Sequence, residues 1–188
     1  MDTSSSDVLF FEPGVSRWDA EKAGEEALKH QESRVFDDVL DELGRSSSKA
    51  QELAWPITTA RKLRESADVV YVKCDETRQS LQGFLRLGWK HLFLYSDENA
   101  SLCEHDVLCL LDFYVHESVR RRGVGHELLT SALKTEGSTN TEIAYDRPSP
   151  ELKSFLRKHF GLDNCVYQPN RFMVFKDFFG RDGCLRAA

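Results

Sequence analysis

Apolar positions along this chain fall into two rhythms, one helical and one extended. Val35, Val39, Leu40 and Leu43 recur at helical spacing, and Gly44 stands where a C-cap glycine would end that helix. The stretch SSSKAQELAWPITTARKLRES, residues 46–66, opens polar and contains Trp55-Pro56, which disfavours helix at Trp55, so it predicts helix, loop and a short second helix with Gln51 beside the break. VVYVK (69–73), GFLRLGW (83–89) and HLFLY (91–95) are rich in β-branched and aromatic residues and predict an antiparallel set of three strands. Val107 to Val115 is apolar except for Asp112 and a few polar-tipped side chains, which suits a central strand buried on both faces.

A helical stripe follows at Val124, Leu128, Leu129, Ala132 and Leu133. Glu142 to Tyr145 predicts a short strand, and Ser149-Pro150 opens another helix with an N-cap hydroxyl and a proline at N1. That helix turns Leu152, Phe155 and Leu156 inward and ends at Gly161; FMVF (172–175) predicts the closing strand. The first 33 residues are polar apart from VLFF at 8–11, which reads as an edge strand. The order predicts an α/β (α+β) domain over residues 34–180, with a mixed, mostly antiparallel sheet flanked by helices, and a short tail at 181–188.

Charge narrows the possible partners. The 188 residues carry a net charge of −6, so a surface that binds nucleic acid throughout is excluded and any polyanion site must be a local basic cluster. Five cysteines make no CxxC pair, which fits a reducing, cytoplasmic setting better than a disulfide framework. Val107 to Leu111 is too short an apolar run to span a bilayer, so no membrane role is expected. His116 and Glu117 are adjacent and lack further spaced ligands, so no metal site is expected either.

The densest basic cluster is Arg120-Arg121-Arg122-Gly123-Val124-Gly125, between the central strand and the next helix. A helix N-terminus offers amides and a favourable dipole to an anion, glycines let the backbone approach closely, and arginines add charge-assisted hydrogen bonds. This chemistry suits a pyrophosphate. The spacing is neither GxGxxG nor GxxxxGK[ST], which argues against a dinucleotide fold or a P-loop, while an ordinary solvated basic turn accounts for the same residues.

Arg120-x-x-Gly123-x-Gly125 after a buried strand resembles the acetyl-coenzyme A signature of the GCN5-related N-acetyltransferases (GNATs). Longer stretches, DELGRSSSKAQELAWPIT (41–58), LCLLDFYVHESVRRRGVG (108–125), AYDRPSPELKSFLRKHFGL (144–162) and FMVFKDFFG (172–180), resemble the catalytic domain of the α-tubulin N-acetyltransferases. The resemblance implies the GNAT fold and acetyl transfer from acetyl-CoA to a lysine on the luminal loop of α-tubulin in microtubules. It also implies a cytoplasmic, microtubule-associated location that extends to cilia or flagella, and we expect a monomer.

By the same resemblance Cys109, Asp146 and Gln51 are the residues implicated in catalysis. The coenzyme contacts it implies are Phe113, Tyr114, Val115, His116, Arg120, Arg121, Arg122, Gly123, Val124, Gly125 and His126, followed by Ser149, Leu152, Lys153 and Lys158. A lysine ammonium has no lone pair with which to attack a thioester, so a proton acceptor is needed, and the Asp146 carboxylate is suited to it. Without the resemblance Asp146 reads as a turn residue, Cys109 as core packing and Gln51 as an exposed helix residue. Cys109 leaves two routes open: direct attack in a ternary complex, which we favour, or an acetyl-cysteine intermediate. Asp112 needs a hydrogen-bonded partner and reads as structural. Two other functions compete: a related acetyltransferase acting on another protein or a small amine, and a non-catalytic coenzyme- or microtubule-binding module.

Overall fold

The computed structural model describes residues 11–29, 35–78, 80–96 and 102–179. Strands β1 (Gly14–Trp18), β2 (Val69–Cys74), β3 (Leu81–Tyr95), β4 (Leu102–Val115), β5 (Ala144–Asp146), β6 (Cys165–Tyr167) and β7 (Phe172–Phe175) form a seven-stranded sheet in the order β1-β2-β3-β4-β5-β7-β6. Helices are α1 (Ala20–Lys29), α2 (Val35–Ala50), α3 (Ala60–Arg64), α4 (Val124–Thr135) and α5 (Pro150–Phe160). β1–β2, β2–β3, β5–β7 and β6–β7 pair antiparallel, and β4–β5 is parallel. Contacts divide the chain into two units. The first takes in the described residues as far as Leu87 with Asp112–Ala132, the second Gly88–Leu111 with Leu133 onward.

The first unit is built on an aromatic cluster, with the Trp18 and Phe36 rings stacked at 4.6 Å and Phe11 packed against both. The predicted edge strand at 8–11 lies largely outside the described residues, and Phe11 sits in a bend. The strand at this edge is β1, a segment of mixed burial whose Trp18 is buried. β1 and α1 therefore draw the polar-looking segment after Phe11 into the core, through Trp18 and Ala23.

The structure corrects the reading of Gly44. α2 continues past it to Ala50, and the stripe begun by Phe36, Val39, Leu40 and Leu43 runs on through buried Gly44, Ser47 and Ser48, whose size matters more than their polarity. Gly44 is a point of close approach: a Cβ there would lie 2.0 Å from the Thr58 carbonyl oxygen. The helix ends instead with Glu52 at φ +54° and the Leu53 N–H on the Ser48 carbonyl at 2.9 Å, the closure in which a left-handed residue usually follows the last turn.

The second unit packs Leu92, Leu94, Val107, Cys109, Leu111, Ala144, Val174 and Phe178 into its own core. The two predicted runs at 83–89 and 91–95 are one strand: β3 passes straight through Gly88-Trp89-Lys90, and beyond that point it alternates exposed Trp89, His91, Phe93 and Tyr95 with buried Leu92 and Leu94. α5 follows its predicted boundaries. Ser149 Oγ accepts the Leu152 N–H at 3.1 Å, Pro150 is the first helical residue, and Gly161 closes the helix at φ +68°.

Two helix glycines give a direct contrast. Gly44→Ala gains helix propensity but must displace backbone, and its stability by urea unfolding falls by about 3 kcal/mol. Gly24, where an added Cβ meets nothing within 4 Å, shows the opposite sign: Gly24→Ala raises stability by roughly 0.5–1 kcal/mol.

Candidate active site

β4 hands over to α4 through a short, ordered turn. Val115 ends the strand, a 3-10 turn covers Glu117–Val119, and His116 caps it by accepting the Ser118 N–H on Nδ1 at 3.3 Å. His116 and Glu117 therefore serve the turn. Arg120 folds back and donates from Nε to the Val115 carbonyl at 3.0 Å, while Arg121 and Gly123 adopt positive φ, +63° and +87°. All three arginines are exposed. Beyond Gly123 the space is open, since an added Cβ would meet nothing within 4 Å.

α4 begins at Val124, and its first backbone bond runs from the Glu127 N–H to the Gly123 carbonyl at 3.0 Å, so the amides before Glu127 lie in the turn where a helix has no carbonyl to offer. The acid of that first turn does not oppose an anion. Glu127 Oε1 lies 2.7 Å from Nζ of Lys73, a lysine buried on β2. Open backbone, dipole and three exposed guanidiniums fit a phosphate-bearing ligand such as coenzyme A. Upstream, Phe113 is half-buried and Tyr114 buried, and burial pushes the Tyr114 hydroxyl up from the usual phenol range. Gly83 on β3 makes room here: a Cβ would fall 2.4 Å from the Tyr114 carbonyl oxygen.

In the same unit Gln51 lies at the C-terminal end of α2 within a polar cluster. Its Nε2 donates to Ser47 Oγ at 2.7 Å and to Asp112 Oδ1 at 3.0 Å, and Asp112 also accepts from Ser47 Oγ at 2.8 Å and Thr58 Oγ1 at 2.6 Å. The partners expected for Asp112 are thus found. Ser47 and Thr58 are the residues that the sequence reading missed, although an aspartate alone in an apolar strand signalled that such donors must exist.

The second unit holds Cys109 and Asp146. Cys109 is fully buried, with Sγ 3.3 Å from the Val107 carbonyl oxygen, and stands in register with Ala144 across the short β4–β5 ladder. Asp146, two residues on from Ala144, ends β5. Arg147 grips its carboxylate with Nε on Oδ1 and a terminal nitrogen on Oδ2, both at 2.9 Å, and Arg147 itself sits at φ +41°. The pair raises the pKa of Arg147, first through the hydrogen bond and then through the charge of Asp146. A carboxylate has about four acceptor positions, so two remain for a substrate proton. On α5, Ser149 is spent on its cap, Leu152 is half-buried and Lys158 exposed, and Lys153 borders a cavity of about 230 Å³ with its Nζ 5.4 Å from the centre of the Tyr167 ring. Gln51 and the basic turn thus belong to the first unit, Cys109, Asp146 and the α5 residues to the second.

A seven-stranded mixed sheet with a basic turn leading from a central strand into a helix is the architecture of the GNAT acetyltransferases, and solved structures agree. A probable acetyltransferase aligns with a TM-score of 0.51 at 20% identity, covering 79% of this chain and 89% of its own. The xEco2 acetyltransferase domain, solved bound to a CoA conjugate, aligns with a TM-score of 0.51 at 13% identity over 88% of this chain and 93% of its own. At sequence level residues 7–186 match the family described as GNAT acetyltransferase, Mec-17, and the chain belongs to that family. Its relatives include α-tubulin N-acetyltransferase 1 of Danio rerio, 46% identical over 75% of this chain and 48% of the relative. The α-tubulin N-acetyltransferase of Tetrahymena thermophila is 37% identical over 86% and 40%, and that of Leishmania infantum 38% identical over 88% and 72%. The chain thus spans about half the length or less of the first two relatives.

Burial orders the thiols. On brief treatment of the folded protein with iodoacetamide, half-buried Cys165 is alkylated well before Cys109, as read by peptide mass spectrometry. Equal rates at the two sites would show that Cys109 is open to solvent.

Proposed function

We propose that this chain transfers the acetyl group of acetyl-CoA to the side-chain amine of a lysine on the luminal loop of α-tubulin in assembled microtubules. The observation that carries this reading is sequence kinship: relatives named α-tubulin N-acetyltransferase align over 75–88% of the chain at 37–46% identity. The reading places the protein on microtubules in the cytoplasm, including those of cilia or flagella, and has it act as a monomer, with residues 34–180 as the catalytic domain and β1 and α1 completing its core.

In this reading the turn from Arg120 to His126 binds the coenzyme pyrophosphate, and Phe113, Tyr114, Val115 and His116 lie along its chain. Ser149, Leu152, Lys153 and Lys158 contribute from α5. Asp146 accepts the lysine proton through an acceptor position that Arg147 leaves open, and the amine then attacks the thioester carbon, forming the amide and releasing the coenzyme as its thiol. The full burial of Cys109 supports direct attack over an acetyl-cysteine carrier, because a carrier thiol must reach the thioester. Cys109 then shapes the site from within the core.

The test is to incubate the protein and acetyl-CoA with microtubules, free tubulin or a panel of small amines, and to map the products by mass spectrometry. One modified α-tubulin lysine, formed fastest on microtubules, is the expected result; acetylation confined to small amines would replace this reading with a different acetyltransferase, and no product with a non-catalytic module. Asp146→Asn lowers turnover by roughly 10²–10⁴-fold with coenzyme affinity retained, and the residual rate climbs with pH as the free-amine fraction of lysine grows. Near wild-type turnover in that variant at neutral pH would remove Asp146 as the base. Arg121→Ala weakens acetyl-CoA binding by roughly 1–3 kcal/mol by calorimetry.

A further inference from the structure

Lys73 is a charged residue in a strand that is buried throughout. All six residues of β2 are buried and the Lys73 side chain is 7% exposed, so its ammonium must be met by an acid. Strand alternation separates Val70, Val72 and Cys74, which belong to the core built on Trp18 and Phe36, from Tyr71 and Lys73 on the opposite face. Lys73 pairs in register with Gly83, and a Cβ added to Gly83 would point toward Leu128 of α4, 3.4 Å away. The face that carries Lys73 is therefore the face that α4 covers. There Nζ reaches Glu127 Oε1 at 2.7 Å, while Glu76 Oε1 stands further off at 3.8 Å on a side chain that is 82% exposed.

Glu127 is where this ion pair meets the basic turn. Its N–H makes the first backbone bond of α4, to the Gly123 carbonyl, so its side chain leaves from the first turn, and helical side chains lean back toward the N-terminus. A free carboxylate leaning that way would approach the amides that follow Gly123 and the guanidiniums of Arg121 and Arg122. It would repel a phosphate and compete with it for the same donors. Lys73 instead draws the carboxylate to the sheet and offsets its charge. We infer that Lys73 is a positioning residue for coenzyme binding, which holds the Glu127 carboxylate off the basic turn and so sets the affinity of the turn for a pyrophosphate.

The inference rests on the reading above in which this turn binds the coenzyme, and it gives the two members of the pair opposite effects. An ion pair that only fastened α4 to the sheet would be lost equally from either end. A pair that restrains a charge behaves differently: removing the lysine frees the acid, whereas removing the acid frees nothing that repels an anion.

Coenzyme A alone is the probe, so the test needs no acetyl acceptor. In calorimetric titrations of the full chain at low ionic strength, Lys73→Met weakens coenzyme A binding by roughly two- to fivefold. Glu127→Gln binds at least as tightly as the wild type, and the double variant returns to within about twofold of it. The loss in Lys73→Met shrinks in about 0.5 M salt, which screens a partly exposed carboxylate. In turnover on microtubules, Lys73→Met raises KM for acetyl-CoA and leaves kcat unchanged. Should Glu127→Gln unfold because its lysine is left buried and unpaired, recovery of affinity in the double variant, which buries no charge at either position, carries the same distinction. Weaker binding in the double variant than in Lys73→Met would make the pair a fastening of the helix and overturn this role, as would unchanged affinity in Lys73→Met. Absence of coenzyme A binding by the wild type would refute the coenzyme reading of the turn itself, a result distinct from either of these.

Discussion

The constraint that organises the first unit is the need to satisfy one carboxylate in an apolar strand. Asp112 cannot reach water from β4, so three donors must come to it, and each fixes a separate piece of chain. Ser47 fixes the rotation of α2, Gln51 the turn that ends it, and Thr58 the loop before α3. Thr58 can come close because Gly44 has no side chain, its backbone carbonyl occupying the space a Cβ would need. A glycine in mid-helix and two buried serines, poor choices for helix stability on their own, are thus required by the packing they allow.

The end of β4 follows the same economy of charge. The chain is acidic overall, yet Glu127, the acid in the first turn of α4, is paired with the buried Lys73. Gly83 lets β3 approach the Tyr114 carbonyl, Arg121 and Gly123 take left-handed conformations, and α4 starts directly after them at Val124.

Where burial is carried by large apolar side chains, the sequence was readable. β2, β4, α4, β7 and the capped helix α5 lie within a few residues of their expected positions, because periodicity and the Ser149, Pro150 and Gly161 caps carry local signals. Readability failed where the determinant is nonlocal. The second half of α2 buries Gly44, Ser47 and Ser48, which hydropathy scores as surface; β1 is a strand of mixed polarity that gains its place from pairing with β2; and β6, three residues long, has too short a pattern to register. The site shows the same division. The arginines and glycines of the turn suggested an anion site by composition, with an ordinary solvated turn as the alternative, whereas Cys109, Asp146 and Gln51 were chosen through family resemblance, and the grip of Arg147 on Asp146 and of Asp112 on Gln51 could be seen only in three dimensions.

The central claim is that acetyl passes from coenzyme to a lysine of α-tubulin without a stop on the protein. A single-turnover experiment tests it most directly: excess protein loaded with acetyl-labelled acetyl-CoA is mixed with microtubules, quenched over time, and the label is followed by mass and position. The account predicts that label leaves the coenzyme and enters one α-tubulin lysine with the same rate constant, with none on the protein at any time. Label that first accumulates on Cys109, or that never reaches a tubulin lysine, would contradict it.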